Sequence, residues 1–254
     1  MLTRIDVNSD MGERDTTEGR AIDGEMMPFI TSVNIACGSH AGTPDLMRRT
    51  AHLAAQHGVA IGAHPGLPDP EHFGRRERSV ASKEITALVI RQVETLVDVL
   101  ARERLTLTHV KPHGALYNMA ASNLEVAQAI VHAVQAMDRE FILYALAGSK
   151  LVEAARVAGQ TVAQEAFADR AYRADGTLLP RSEQGAVLRT EQEIRRRLRQ
   201  LMTGTVMSVE GTSMPIHADT LCLHADTPHS VPLARMIRQE LASAGIRLTA
   251  VRHA

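Results

Sequence analysis

Seven short, mostly apolar runs rich in β-forming residues recur along the chain, at about residues 3–8, 30–35, 59–63, 107–111, 141–146, 161–165 and 220–224. Stretches of helical period separate them, and Gly, Pro or polar residues bound them, as with buried strands. A strand followed by a helix and then another strand needs a crossover, and crossovers of this kind join parallel neighbours in a right-handed sense. The alternation therefore restricts the chain to a parallel α/β sheet, either closed into a barrel or open and doubly wound. At 254 residues, 44% of them hydrophobic, there is core enough for one large α/β unit or two small ones. No strong linker divides the sequence, so residues 1–254 are read as a single domain. Two segments break the rhythm: a polar loop near 170–188 with Gly176, Pro180 and Gly185, and a β-hairpin near 205–216 around Glu210 and Gly211.

The intervening stretches carry helix start signals. Thr43, Pro44 and Asp45 supply an N-cap, a proline at N1 and an acid in the first turn. Ser122 with Glu125, and Thr190 with Glu193, fit the capping box, and Thr227 with Pro228 opens a helix over 231–242. Over residues 83–104, Leu88, Val89, Val93, Leu96, Val97 and Leu100 form one apolar stripe that packs against the sheet.

Parallel strands share one carboxyl-terminal face, where α/β proteins place their sites. Six of the seven runs end in titratable side chains. The first, DVNSDMGE, offers Asp6, Asn8 and Asp10 on one side of an extended chain, then Glu13. The others offer Asn34, Cys37 and His40; His64; Lys111 and His113; Glu165, Asp169, Arg170 and Tyr172; and His224 and Asp226, with Arg181 in the following polar loop of the sixth. A carboxylate inside a strand needs a partner, and Lys111 or Arg170 is the expected one for Asp6. Cys37 reads as a small buried filler, and His52, His57, His132 and His253 as helix or tail residues outside the site. Asp6, Asp10, His40 and His64 form a donor mix suited to a divalent metal.

Other classes are excluded by what is missing. A formal net charge of -1, 3% aromatic residues and no Trp argue against a nucleic-acid partner. Two cysteines far apart suit a reducing compartment. No signal peptide and no apolar run of the roughly 20 residues needed to span a bilayer is read, so a cytoplasmic protein without a membrane partner is expected. Neither Gly-rich phosphate loop, G-x-x-x-x-G-K-[ST] or G-x-G-x-x-G, occurs, nor H-E-x-x-H or G-x-S-x-G.

The motifs DVNSDMGE, NIACGSHAGTP, GAHPGLPD, FGRRE, HVKPHGALYN, EAFADRAYRADGTLLPRS, GAVL and LCLHADTPHS occur in the order seen in the LamB/YcsF family. The chain resembles that family from about residue 4 to 247, departing at Ser39, commonly Phe, and Thr43, commonly Asp. The resemblance implies a seven-stranded (β/α) TIM-like barrel related to the glycoside hydrolase and deacetylase superfamily. It also implies ATP-dependent hydrolysis of 5-oxo-L-proline to L-glutamate, as the A subunit of a 5-oxoprolinase with partner subunits B and C.

A lactam is a poor electrophile because its amide is resonance-stabilised. Phosphorylation of the amide oxygen by ATP would expose the carbon to water, given charge stabilisation, a base and an acid. On this reading Lys111 meets the phosphate or oxyanion, and Asp6, Asp10 and Glu13 hold a divalent ion or activate water. His40, His64 and His113 move protons, and Arg170 or Arg181 binds the substrate carboxylate. Asn8, Asn34, Glu165, Asp169, Tyr172 and His224 complete the expected substrate-binding set. The rival readings are a metal-dependent amide or N-acetyl hydrolase, by analogy of fold, and a non-catalytic subunit that binds a small acid.

Overall fold

β1 (Arg4–Met11) is flanked by parallel strands on both edges: β2 (Ser32–Ala36) and β9 (Thr220–Cys222). The computed structural model describes residues 2–137, 139–225 and 229–253; Asp226, Thr227 and Pro228, and with them the cap read there, lie outside the described residues. The remaining barrel strands are β3 (Ala60–His64), β4 (His109–Val110), β5 (Ile142–Leu146) and β6 (Val162–Phe167). The order β1-β2-β3-β4-β5-β6-β9, closed by the β1–β9 pairing, is a seven-stranded parallel barrel.

Helices cover its outside: α1 (Thr17–Met26), α2 (Pro44–His57), α3 (Ser82–Arg102), α4 (Gly114–Ser122), α5 (Leu124–Ala136), α6 (Lys150–Val157), α7 (Glu191–Met202) and α8 (Ser230–Ser243). Between α7 and β9, β7 (Thr205–Met207) and β8 (Ser213–Pro215) pair as an antiparallel hairpin. The stripe on α3 is buried at Ile85, Leu88, Val89, Val93, Leu96 and Leu100. Thr43 caps α2 by accepting from the Leu46 amide, and Thr190 and Glu193 form a complete capping box. The box read at Ser122 is displaced by one residue. Ser122 ends α4, and the Asn123 side chain instead accepts from the Glu125 and Val126 amides at the start of α5.

The sequence reading misses β10 (Arg247–Leu248), which is too short to show a pattern. It joins the lower part of β1, where the Thr3 and Ile5 carbonyls accept from Arg247 and Thr249, and Thr31 takes the next carbonyl on that edge, Val7.

Outward-facing Val7, Val33, Ile35, Ile61, Val110, Leu143 and Leu221 are buried under the helices as the apolar core. The inside of the barrel is polar. The Asp6 carboxylate is 1% exposed and meets four hydroxyls: Thr31 (2.5 Å) and Ser32 (2.7 Å) on Oδ1, Thr220 (2.6 Å) and Tyr144 (3.1 Å) on Oδ2. Its partners are thus neutral donors, not the cation expected. Burial raises its pKa, against the pull of those hydroxyls.

Above this layer, the His109 ring lies flat on Tyr144, 4.2 Å between centroids, and donates from Nε2 to Asn34 Oδ1 at 2.8 Å. Burial first, and then the Lys111 charge, push its pKa down to about 3, so the imidazole is neutral. Gly62 stands opposite His109 in the β3–β4 register, and a Cβ there would lie 2.0 Å from His109 Nε2. Gly62→Ala is therefore expected to force the imidazole from its layer, at about 3 kcal/mol, read as a lower urea midpoint with the slope unchanged.

Candidate active site at the carboxyl end of the barrel

The strand that ends in HVKPHG delivers Lys111 into the barrel mouth, where it is 2% exposed. Its ammonium contacts Glu165 Oε1 (2.9 Å), Asp10 Oδ1 (3.0 Å), Asn8 Oδ1 (3.1 Å) and Cys222 Sγ (3.1 Å). Four acceptors exhaust three N–H bonds, so Lys111 binds its own framework rather than standing ready for a phosphate. Burial works against the charge, but Asp10, Cys222 and Glu165 outweigh it and hold the lysine pKa well above its usual value. Burial likewise opposes the Asp10 anion, yet His64 and Lys111 hold its pKa well below the carboxylate range. Asn8 and Asn34 link these groups: Asn34 Nδ2 donates to Asn8 Oδ1 and Asp10 Oδ1, and Asn8 Nδ2 donates to Glu165 Oε1 and Thr220.

Above Asp10 lie three imidazoles. His64 Nδ1 is 2.7 Å from the Lys111 carbonyl and His113 Nε2 is 2.8 Å from the Phe73 carbonyl. A carbonyl only accepts, so both of those nitrogens carry hydrogen. In the neutral rings, the nitrogens that face each other, His64 Nε2 and His113 Nδ1, are then bare lone pairs 2.9 Å apart. Burial, then His40 and His64, hold the His113 pKa well below that of free imidazole. Such a contact is satisfied by a proton on His64 Nε2 or by a cation held between the rings. Asp10 Oδ2 is 3.3 Å from His64 Nε2, and Glu13 Oε1 is 3.5 Å from His113 Nδ1.

His40 stacks on His113, with 3.7 Å between centroids and 5° between planes, and its Nε2 is 3.3 Å from Glu13 Oε1. Gly66 and Gly74 make room for this stack: a Cβ on either would lie 2.7 and 2.8 Å, respectively, from His40.

The cleft over these groups holds about 300 Å³. Asp10, Glu13, His64, Lys111, His113 and His224 form its floor and walls, with Arg170 and Arg181 from the loop after β6. His224 is held by Asp169, Nδ1 to Oδ2 at 2.8 Å, and stacks on Phe167. Arg170 donates to the Leu179 and Ala186 carbonyls, and burial, then the neighbouring Arg181, lower its pKa to about 10.

The sequence-derived set thus divides. Asp10, Glu13, His64, Lys111, His113, Arg170, Arg181 and His224 line the cleft. Asn8, Asn34 and Glu165 lie beneath it in the Lys111 network, Asp6 lies a layer lower, His40 stands behind His113, and Asp169 behind His224. Tyr172 points into the core, its hydroxyl accepting from the Phe167 amide at 2.8 Å and its ring under Arg197. Sequence reasoning missed Arg75 and Glu77 at the mouth, although they stand in the FGRRE motif, and Tyr117 and Phe167 in the walls.

Among the described residues, two groups have the donor types and spacing of a metal site: Glu13, His64 and His113, and Asp10, Cys222 and His224. In the second the Lys111 ammonium already lies on Asp10 and Cys222 and supplies the positive charge. The first has no such ammonium among its members and includes the two facing lone pairs. Its edges of 2.9 and 3.5 Å suit ligands about 2 Å from one ion. The expected set of Asp6, Asp10, His40 and His64 is not the one the barrel assembles, because Asp6 faces a lower layer and His40 turns to Glu13.

Residues 5–254 match the profile of the LamB/YcsF family. The chain belongs to the LamB/YcsF family. The A component of 5-oxoprolinase from Heliobacterium modesticaldum is 50% identical over 97% of this chain and 98% of its own length. Its counterpart from Bacillus subtilis is 43% identical over 98% of both chains. Among solved structures, a lactam utilization protein from Thermus thermophilus superposes with a TM-score of 0.89 at 41% identity, covering 98% of this chain and all of that one. A T48 deacetylase, 12% identical with a TM-score of 0.50 over 98% of this chain and 88% of its own, shares the fold. The seven-stranded barrel is the fold that the LamB/YcsF resemblance implied.

Two outcomes test this arrangement. Lys111→Met leaves Asp10 and Glu165 buried without their cation and is expected to destabilise the fold by about 3–5 kcal/mol in chemical denaturation. Asp23, which accepts from the Gly12 amide just before Glu13, has its pKa raised to about 7 by burial. A raised carboxyl pKa stabilises the fold at low pH, and that contribution is lost as pH climbs through the folded value. Asp23→Asn is therefore expected to match the wild-type Tm at pH 4 and to exceed it by several degrees at pH 8.

Proposed function

We propose that this chain is the A subunit of a 5-oxoprolinase, which opens the lactam of 5-oxo-L-proline to L-glutamate with ATP and partner subunits B and C. The observation that carries the chemistry is the convergence of Asp10, Glu13, His64 and His113 in a cleft that Arg170 and Arg181 also line. The lactam's carboxylate is an anion, and paired guanidiniums suit it. A cleft of about 300 Å³ takes a five-membered ring. A nucleoside triphosphate is larger than this cleft, so on this reading most of it lies outside.

The proton chemistry falls to the histidine wall. His113 Nδ1 is a neutral acceptor, turned that way by the Phe73 carbonyl, and takes a proton from the attacking water. Glu13 Oε1 lies beside it and stabilises the charge that ring then bears. Asp10, fixed by Lys111 and Asn34, does the same for His64. His64 Nε2 is the position from which a proton returns to the ring nitrogen as it leaves.

Alternatively, Glu13, His64 and His113 would hold a divalent ion through those same two nitrogens, which then move no proton, and Asp10 beside them is left as the base. Such an ion, when bound, polarises a carbonyl or phosphoryl oxygen and acidifies water. The same donor set favours a second reading, an ATP-independent metal amidase.

The deciding assay measures glutamate released from 5-oxo-L-proline by the chain with its partner subunits, with and without ATP. ATP-dependent release, falling about 10²-fold or more in His113→Ala, is expected. Release that ignores ATP gives the second reading, and no release under either condition removes both. Elemental analysis separates the two states of the histidine wall independently of turnover: one divalent ion per chain, lost in the His64→Ala, His113→Ala double variant, makes these rings ligands, and no ion leaves them to move protons.

A further inference from the structure

Tyr117 lies in the first turns of α4, is 5% exposed and lines the cleft. Its ring is held edge-on against Phe167, 5.9 Å between centroids. Its hydroxyl has the Glu165 carboxylate as its hydrogen-bonding neighbour, but among the described residues that contact lacks the geometry of a good hydrogen bond. The other two tyrosines differ: Tyr144 donates to Asp6, and Tyr172 accepts from the Phe167 amide. A buried polar atom left poorly paired in the free protein is unfavourable, and at the wall of a cleft a ligand is what can pair it.

The chemistry of that ligand atom follows from its surroundings. Burial first, then the Glu165 carboxylate, push the phenol pKa well above its usual value, so it keeps its hydrogen and donates. Glu165 Oε2 also lacks a well-formed partner, while Oε1 is held by Asn8 and Lys111, so beneath the phenol lies negative charge. An anionic group of the ligand is repelled there and belongs with the guanidiniums of Arg170 and Arg181, which also line the cleft. A neutral acceptor oxygen is not repelled. In a five-membered lactam carboxylate the neutral acceptor is the ring carbonyl, and Lys111, the nearby cation, has its hydrogens engaged elsewhere.

We propose that Tyr117 donates its phenolic hydrogen bond to the ring carbonyl oxygen of the lactam and is the residue by which the site selects a ring that carries a carbonyl. This rests on the 5-oxoproline reading above. It makes Tyr117 a substrate-contacting residue that orients the carbonyl toward the histidine wall, with no proton transferred.

The test compares wild type and Tyr117→Phe, each with the partner subunits, in binding 5-oxo-L-proline and cyclopentanecarboxylate, which keeps the ring and the carboxylate but lacks the carbonyl. The variant is expected to lose about tenfold in affinity for 5-oxo-L-proline and none for cyclopentanecarboxylate. Its Tm is expected to stay the same or rise, because the hydroxyl it loses has no well-formed bond in the fold. With three tyrosines and no tryptophan in this chain, a near-ultraviolet difference spectrum of the free chain on adding 5-oxo-L-proline is expected in wild type and absent in the variant. Equal affinity of the two proteins for 5-oxo-L-proline, or an equal loss for both ligands, overturns the role of Tyr117 while leaving the 5-oxoproline reading intact. A Tm lowered by several degrees does the same, since the hydroxyl is then spent on Glu165. Wild type that binds cyclopentanecarboxylate but not 5-oxo-L-proline overturns both.

Discussion

One buried ammonium holds the upper half of this barrel together. Without Lys111, Asp10 and Glu165 would face each other as carboxylates in a space closed to water, where neither could stay ionised cheaply. With it, both become fixed acceptors, and Asn8, Asn34 and Thr220 fall into one connected network around them. The site above inherits that order. Asp10 can present Oδ2 to His64 only because Oδ1 is pinned from below. Lys111 also aims its own carbonyl at His64 Nδ1, so one residue fixes both the carboxylate and the tautomer of the imidazole it meets.

The barrel achieves this by reversing the usual content of its interior. Its apolar core lies outside the strands, beneath the helices, and the enclosed space is filled by hydroxyls, amides, acids and rings. Such an interior is stable only where most of its groups find their complements. Asp6 illustrates the requirement with its four hydroxyl donors, and Gly62 illustrates the steric one, giving up a side chain so that His109 can lie flat on Tyr144. The glycines of the GAHPG and FGRRE segments do the same around His40 and His113.

Much of this was legible in the chain. Alternation of short apolar runs with helical periods is a consequence of crossover connections, so the parallel sheet followed from it, and polar strand ends pointed to one face. Levels within the barrel were not legible. Asp6, Asn8 and Asp10 do share a side of β1, but a period of two says nothing of depth, and a rise of about 3.3 Å per residue puts Asp6 well below the cleft. Nor could spacing show that Lys111 is saturated, since its acceptors come from three other strands, two of them about a hundred residues away and one about fifty. Tyr117 was hidden by its setting in an apolar helical stretch, where an aromatic reads as core.

The seam of the barrel has a consequence for how the chain reaches this form. β1 is made first, yet its partner β9 comes more than two hundred residues later, and β10 later still. Until those segments emerge from the ribosome, the acids of the opening strand have no enclosure and Lys111 has only part of its cage. Ring closure is thus a late, long-range event with a large loop entropy to overcome. A chain that still lacks β9 leaves β1 and β6 without their shared neighbour, and unpaired strand edges of that kind are where one chain pairs with another.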